Sequence, residues 1–192
     1  MKINKILLLS AIACSSLASC GDEFFDVENS DVASKDQIDA IGNSSPDALI
    51  KIVEPLMLGL NNYTYQYNTQ SSSNTVHEDF GLMGIYHLGD VMNDDLAFYT
   101  RGSGWFTYDY ELDYWAEQYK RPFFYWNFFY SIIAKSNDII AMISAEVTDP
   151  DLKAYRGAAL TYRGFAHAYL AQMFQQTYIG NEDAPGVPIV LT

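Results

Sequence analysis

Apolar residues recur at helical spacing in two long stretches of this chain and lose that spacing between them. Leu49, Ile52, Val53, Leu56 and Leu60 stand at i, i+3, i+4, i+7 and i+11, the stripe of an amphipathic helix. Ser45 is placed to cap it, Pro46 takes the first helical position, and Asp47 puts an acid in the first turn. Pro55 lies inside the stripe and has no backbone N–H, so a kink or break is predicted there. From Pro122 the spacing returns. Trp126, Phe129, Ile133, Ser136, Ile140, Ile143 and Val147 form one stripe, and Tyr125, Phe128, Ile132, Ile139 and Met142 form a second. Two stripes on one helix predict burial over much of its circumference. Thr148-Asp149-Pro150-Asp151 reads as a turn with a capping acid, and a second helix is predicted from about Asp151 to Gln176. Tyr155, Ala159, Tyr162, Ala166, Tyr169 and Met173 make its large-residue face. Gly157, Gly164, Ala168 and Ala171 make a smooth face on which a neighbouring helix can approach closely. The short turn joins the two helices as an αα-hairpin.

The remaining stretches lack sustained periodicity. Residues 61–79 are rich in Asn, Gln, Ser and Thr and read as loop. Residues 80–124 hold Gly81, Gly84, Gly89, Gly102 and Gly104 among many aromatics, and are expected to be a long irregular loop of the kind that carries function. Residues 21–45 read as a tether and an irregular lead-in, with Phe24, Phe25 and Val27 available to dock it. The tail from Ala184 to Val190 contains Pro185 and Pro188 and is expected to be extended.

The amino terminus changes the picture of where such a domain works. Lys2 and Lys5 precede the apolar run Ile6–Ala13, and Leu17-Ala18-Ser19-Cys20 follows. The run is too short to span a bilayer and resembles a bacterial lipoprotein signal, with Cys20 as the lipidated first residue after cleavage. Several acyl chains make such an anchor durable, since one chain holds only weakly. The expected organisation is a signal peptide over 1–19, a lipid-anchored tether and lead-in over 20–45, and a helical domain over 46–192. Loss of residues 1–19 removes two lysines and no acid, taking the formal net charge from −13 to −15. That balance excludes nucleic acid as a partner, because phosphates need Lys and Arg. Cys14 leaves with the signal, so no intramolecular disulfide is expected. The chain also carries 15 Tyr, 11 Phe and 3 Trp, suited to helix packing and to partly wet contact surfaces.

The hairpin carries a resemblance. Tyr130, Ile133, Ser136, Asn137, Ile139 and Ile140 resemble the "Y-x-x-I-x-x-A-N" helix of the SusD/RagB family. Tyr155, Arg156, Gly157, Ala159, Arg163, Gly164 and Phe165 resemble its "G-E-A-x-x-x-R-A" helix, and Gly186-Val187-Pro188-Ile189 matches its "G-x-V-P-L" segment. The lipoprotein cysteine and Phe24-Phe25-Asp26-Val27 match the family start. Three positions depart from the pattern: the Gly157-Ala158-Ala159 run lacks the acid, Gly164 stands for Ala, and Ser136 stands for Ala. The resemblance implies an all-α fold of tetratricopeptide-like helical hairpins with long irregular loops. It covers the N-terminal part of a family whose members are much longer. It further implies an outer-membrane lipoprotein facing outward, which captures an oligosaccharide or other nutrient for a TonB-dependent SusC-like transporter. In that family, ligand contacts fall in the loop region before the hairpin.

Within that region, Asp94, Asp95, Arg101 and Trp105 are the candidate ligand contacts. Trp105 offers a flat apolar face for stacking, and the other three offer planar hydrogen-bonding groups, which is the chemistry sugars require. Packing of Trp105 and local pairing of Asp94 with Arg101 is the plainer alternative. His77, Glu78, Asp79 and His87 fit no zinc template, the Asp90–Asp95 run fits no calcium loop, and His167 is expected to be a hydrogen-bonded packing residue. No cofactor is implied. No nucleophile or phosphate-loop motif selects a catalytic site, so a binding protein is preferred over an enzyme. The alternatives are a surface-tethered glycoside hydrolase and a helical-repeat adaptor that holds the transporter complex together without binding ligand.

Overall fold

The computed structural model describes residues 35–69, 79–93 and 119–191. The described residues form five helices and no strand: α1 (Lys35–Ser44), α2 (Pro46–Tyr63), α3 (Leu82–Val91), α4 (Lys120–Met142) and α5 (Pro150–Phe174). The chain divides into two units between Ile38 and Asp39, within α1, and all the packing described below lies in the second unit, Asp39–Thr192.

Helix α4 is the centre of the core. Phe124, Tyr125, Phe128, Phe129, Ile132, Ile133 and Ile139 are all buried along it, and they cover most of its circumference, as its two stripes predict. Helix α5 packs along one side through Leu152, Ala159, Ala166 and Leu170, and α2 contributes Leu49, Val53, Leu60 and Tyr63. Aromatic stacking joins the elements. Tyr63 of α2 lies flat on Phe128 of α4, with centroids 5.4 Å apart, and Tyr169 of α5 lies flat on Phe129 at 5.2 Å. The Lys135 ammonium sits 5.2 Å from the Tyr63 ring centre, a cation–π contact at the edge of the same stack.

The turn between α4 and α5 forms for the expected reason. The Asp149 carboxylate accepts from the backbone N–H groups of Asp151 and Leu152, both at 3.0 Å, and Pro150 opens the helix. The Arg156 side chain reaches back to the Ile143 carbonyl at 3.0 Å, satisfying a backbone acceptor at the end of α4. Ser45 stands at the N-cap of α2, but its side chain makes no capping hydrogen bond.

Four expectations are corrected. Helix α2 runs through Pro55 without a break. Pro55 is exposed while Val53 and Leu60 are buried, so the backbone hydrogen bond it forgoes lies on the solvent side of the helix and the break is avoided. Helix α3 occupies part of the stretch read as irregular loop, and α1 occupies part of the lead-in. For α3, Gly84, Ile85, Leu88 and Val91 are buried at helical spacing. That burial outweighs the propensity cost of its glycines, about 1 kcal/mol each. The fourth correction concerns the smooth face of α5. Gly157, Gly164 and Ala168 are exposed, and a Cβ added at Gly157 or Gly164 would meet nothing within 4 Å.

Candidate functional site

The sequence motifs of the hairpin converge on one structural task. The tail expected to be extended runs without regular secondary structure and is fastened to α4. The Tyr130 hydroxyl donates to the Pro188 carbonyl at 2.8 Å, and the Asn137 side-chain N–H donates to the Val190 carbonyl at 3.2 Å. Arg163 of α5 donates to the Asn137 Oδ1 at 3.0 Å, which fixes the amide that holds the tail. Val187 and Val190 pack against the core beside these bonds. Ser136, buried at the next position, returns its hydroxyl to the Ile132 carbonyl at 2.7 Å. These residues therefore form a clasp between two helices and the tail. His167 lies against it, its ring edge-on to Tyr130 with centroids 6.5 Å apart. Its two nitrogens are shielded from solvent and have no hydrogen-bond partner among the described residues, so it packs without the expected hydrogen bond.

A second convergence faces solvent. The end of α2, the start of α3 and the middle of α5 enclose an open groove of about 440 Å³, lined by Thr64, Tyr65, Leu82, Tyr86, Ala158, Thr161, Tyr162 and Phe165. That volume lies in the range of small-ligand sites. Tyr65 is 66% exposed and Tyr86 42% exposed, so two of the four aromatic rings offer faces to a ligand. None of the lining residues among those described carries a formal charge.

The wall of the groove is held by a compact knot. The Thr64 side chain and N–H both bond back to the Asn61 carbonyl, at 2.7 and 3.2 Å, and the Thr64 carbonyl accepts from Leu82 N–H at 2.7 Å. Thus α3 hangs from the last turn of α2. The Asp79 side chain is fully buried, and its carboxylate accepts from the Thr69 N–H at 2.5 Å and from the Gly81 N–H at 3.2 Å. Gly81 adopts φ +61, and a Cβ there would collide with the Thr64 carbonyl oxygen. Only glycine fits that close approach.

Two phenols of the groove have raised pKa values, through burial and neighbouring phenols. The Tyr86 pKa is raised by a hydrogen bond with Tyr169, by burial and by the charge of Tyr169. The Tyr162 pKa is raised by burial and then by the Tyr65 phenol. Neutral hydroxyl groups therefore persist here across the ordinary pH range. A larger crevice of about 530 Å³ opens at the α4–α5 turn, beside Pro46 and Leu49. It has no aromatic residue among its described lining, and two of its acids are engaged locally. Asp149 caps α5, while the Glu146 carboxyl is held below its usual value by the Ser144 hydroxyl, with further help from its own backbone and Arg156.

Asp94, Asp95, Arg101, Trp105 and Cys20 lie outside the described residues, as do His77 and Glu78. Among the described residues no cluster of three His, Cys, Asp or Glu side chains is placed to hold a metal. No described helix is long and apolar enough to cross a membrane. Sequence reading missed the groove because its rings come from three distant segments. The only local signal was the aromatic run Tyr63, Tyr65 and Tyr67 at the end of a helical stripe.

The described residues thus combine an all-α unit, a fastened tail and an open aromatic groove. The chain belongs to the SusD/RagB family: a SusD-like family model, described as starch-binding associating with outer membrane, matches residues 24–192. No curated protein and no solved structure matches the chain.

Proposed function

We propose that this protein is a surface-exposed lipoprotein that binds an oligosaccharide and delivers it to a TonB-dependent SusC-like transporter, without performing chemistry itself. The family match over residues 24–192 carries this reading. Cys20 is the lipid anchor and holds the protein at the outer membrane. The groove beside Tyr65 and Tyr86 is a stacking site for sugar, since exposed rings complement the apolar C–H faces of pyranoses. Trp105, Arg101, Asp94 and Asp95 are proposed as further ligand contacts on the chemistry of their side chains.

The test is a titration of the full chain with maltoheptaose, an α-glucan oligosaccharide, alongside Tyr65→Ala and Trp105→Ala variants. Binding is expected, weakened severalfold when a stacking ring is removed, since the ring's apolar face is lost to the sugar. Unchanged thermal unfolding of Tyr65→Ala should accompany that loss, because the ring is exposed. Turnover of the glucan would point instead to a tethered hydrolase. Co-purification with the transporter but no affinity for any glycan would point to an adaptor.

A further inference from the structure

Asn61 and Tyr162 lie 101 residues apart in sequence and meet at the edge of the groove. The Tyr162 hydroxyl donates to the Asn61 Oδ1 at 2.9 Å. An amide is planar, so while this bond is made the Nδ2 hydrogens point away from the Tyr162 hydroxyl. Asn61 is exposed, and its Nδ2 has no hydrogen-bond partner among the described residues. Its backbone carbonyl meanwhile anchors Thr64, a residue of the groove wall. Tyr162 and Thr64 both line the groove, so Asn61, bonded to each of them and itself exposed, stands beside it.

We propose that Asn61, positioned by Tyr162, donates the hydrogen bond that orients an uncharged oligosaccharide in the aromatic groove. The proposal rests on the glycan-binding reading and adds to it a contact residue and a charge class of ligand. A sugar stacked on Tyr65 is free to slide and rotate, because dispersion is not directional. A fixed N–H donor at the edge of the stack selects one placement of its hydroxyls. Charge decides the class. Among the described residues the lining carries no cation to pair with a uronate or sulfate, and the chain as a whole carries a formal charge of −13. An anionic sugar would enter unpaired against that field, whereas an uncharged one loses nothing by it.

The experiment titrates the full chain with four uncharged hexa- or heptasaccharides (maltoheptaose, cellohexaose, xylohexaose and mannohexaose) and with an oligogalacturonate of similar length. Calorimetry gives affinity, and amide NMR follows the Asn61 side-chain resonances. For the best uncharged ligand, the Asn61 Nδ2 protons are expected to shift on binding. Asn61→Ala and Asn61→Asp should weaken affinity about three- to tenfold, the loss of one hydrogen bond. Asn61→Asp retains the acceptor for Tyr162 but places a carboxylate in the last turn of α2, so its thermal unfolding should fall slightly while the fold persists, and a loss of affinity in a folded protein separates contact from folding. Tyr162→Phe should produce a smaller loss and a mobile, averaged Asn61 amide signal. Oligogalacturonate should bind at least tenfold more weakly than that ligand.

The inference is overturned, with the glycan reading intact, if Tyr65→Ala loses binding while both Asn61 variants bind as wild type and the amide signal stays still. Preference for oligogalacturonate overturns the charge class alone. Absence of binding to all five sugars overturns the glycan reading in this groove and the inference with it.

Discussion

Asp149 and Ser45 hold the same N-cap position on two helices, and only one of them makes the capping bond. The Asp149 carboxylate satisfies two backbone donors, so Asp149→Ala should destabilise the protein by about 1 kcal/mol, read as a lowered urea midpoint. The Ser45 side chain makes no such bond, so Ser45→Ala should change stability by only a few tenths of a kcal/mol and leave the urea midpoint nearly unmoved. Asn137 is a harsher site. It is buried and joins α5 to the tail through both ends of its amide. Asn137→Ala strands the Arg163 guanidinium and the Val190 carbonyl and should cost about 1–3 kcal/mol. The amides of residues 186–191 should lose hydrogen-exchange protection in the same variant. The Asp149 cap could be read directly from Asp-Pro-Asp, because capping is local chemistry. The task of Asn137 could not, because its partner Val190 stands 53 positions away and is met only through a backbone carbonyl.

The glycines divide the elements into those that need them and those that merely tolerate them. Gly81 turns the chain into α3 at positive φ against the Thr64 carbonyl, so Gly81→Ala should destabilise by more than about 1 kcal/mol and disturb the groove wall. Near-UV circular dichroism of the tyrosines would report the disturbance. Gly157 and Gly164 lie in an open helix face, where alanine meets nothing and improves helix propensity. Gly164→Ala should therefore stabilise the isolated chain by up to about 1 kcal/mol. The hairpin of α4 and α5 was predictable because long apolar stripes leave few alternatives to helix. Helix α3 was not, because glycine is a loop signal locally and is overruled only by burial that the sequence alone does not display.

Across the whole molecule, alkaline pH acts in one direction on three tyrosines. Tyr86, Tyr130 and Tyr162 all have pKa values raised above the ordinary 10.0, for Tyr86 chiefly through its bond with Tyr169 and for the other two through burial. The unfolded chain gives up these protons first, so it binds fewer protons than the fold as pH climbs through that range. Their contribution is intact below the ordinary tyrosine value and is lost as pH rises through the raised values. Urea midpoints should fall on the alkaline side, and Tyr130→Phe should flatten the fall. At this scale the all-α class was readable from periodicity, and the family from four weak motifs in order. The groove was not readable. Its aromatic faces belong to α3, to the α2 turn and to α5, and nothing in their local spacing announces that they meet.

The clasp also sets an order of events. Tyr130 and Pro188 are 58 positions apart, whereas the hairpin closes across a turn of a few residues. Local contacts form first, because closing a longer loop costs more chain entropy. The hairpin should thus assemble before the tail arrives, and seating of the tail should be a late step. Mutations at Tyr130 or Asn137 should then accelerate unfolding while leaving the folding rate nearly unchanged. The residues most recognisable in the sequence would act as a retention latch, governing how long the native state lasts rather than how fast it is reached.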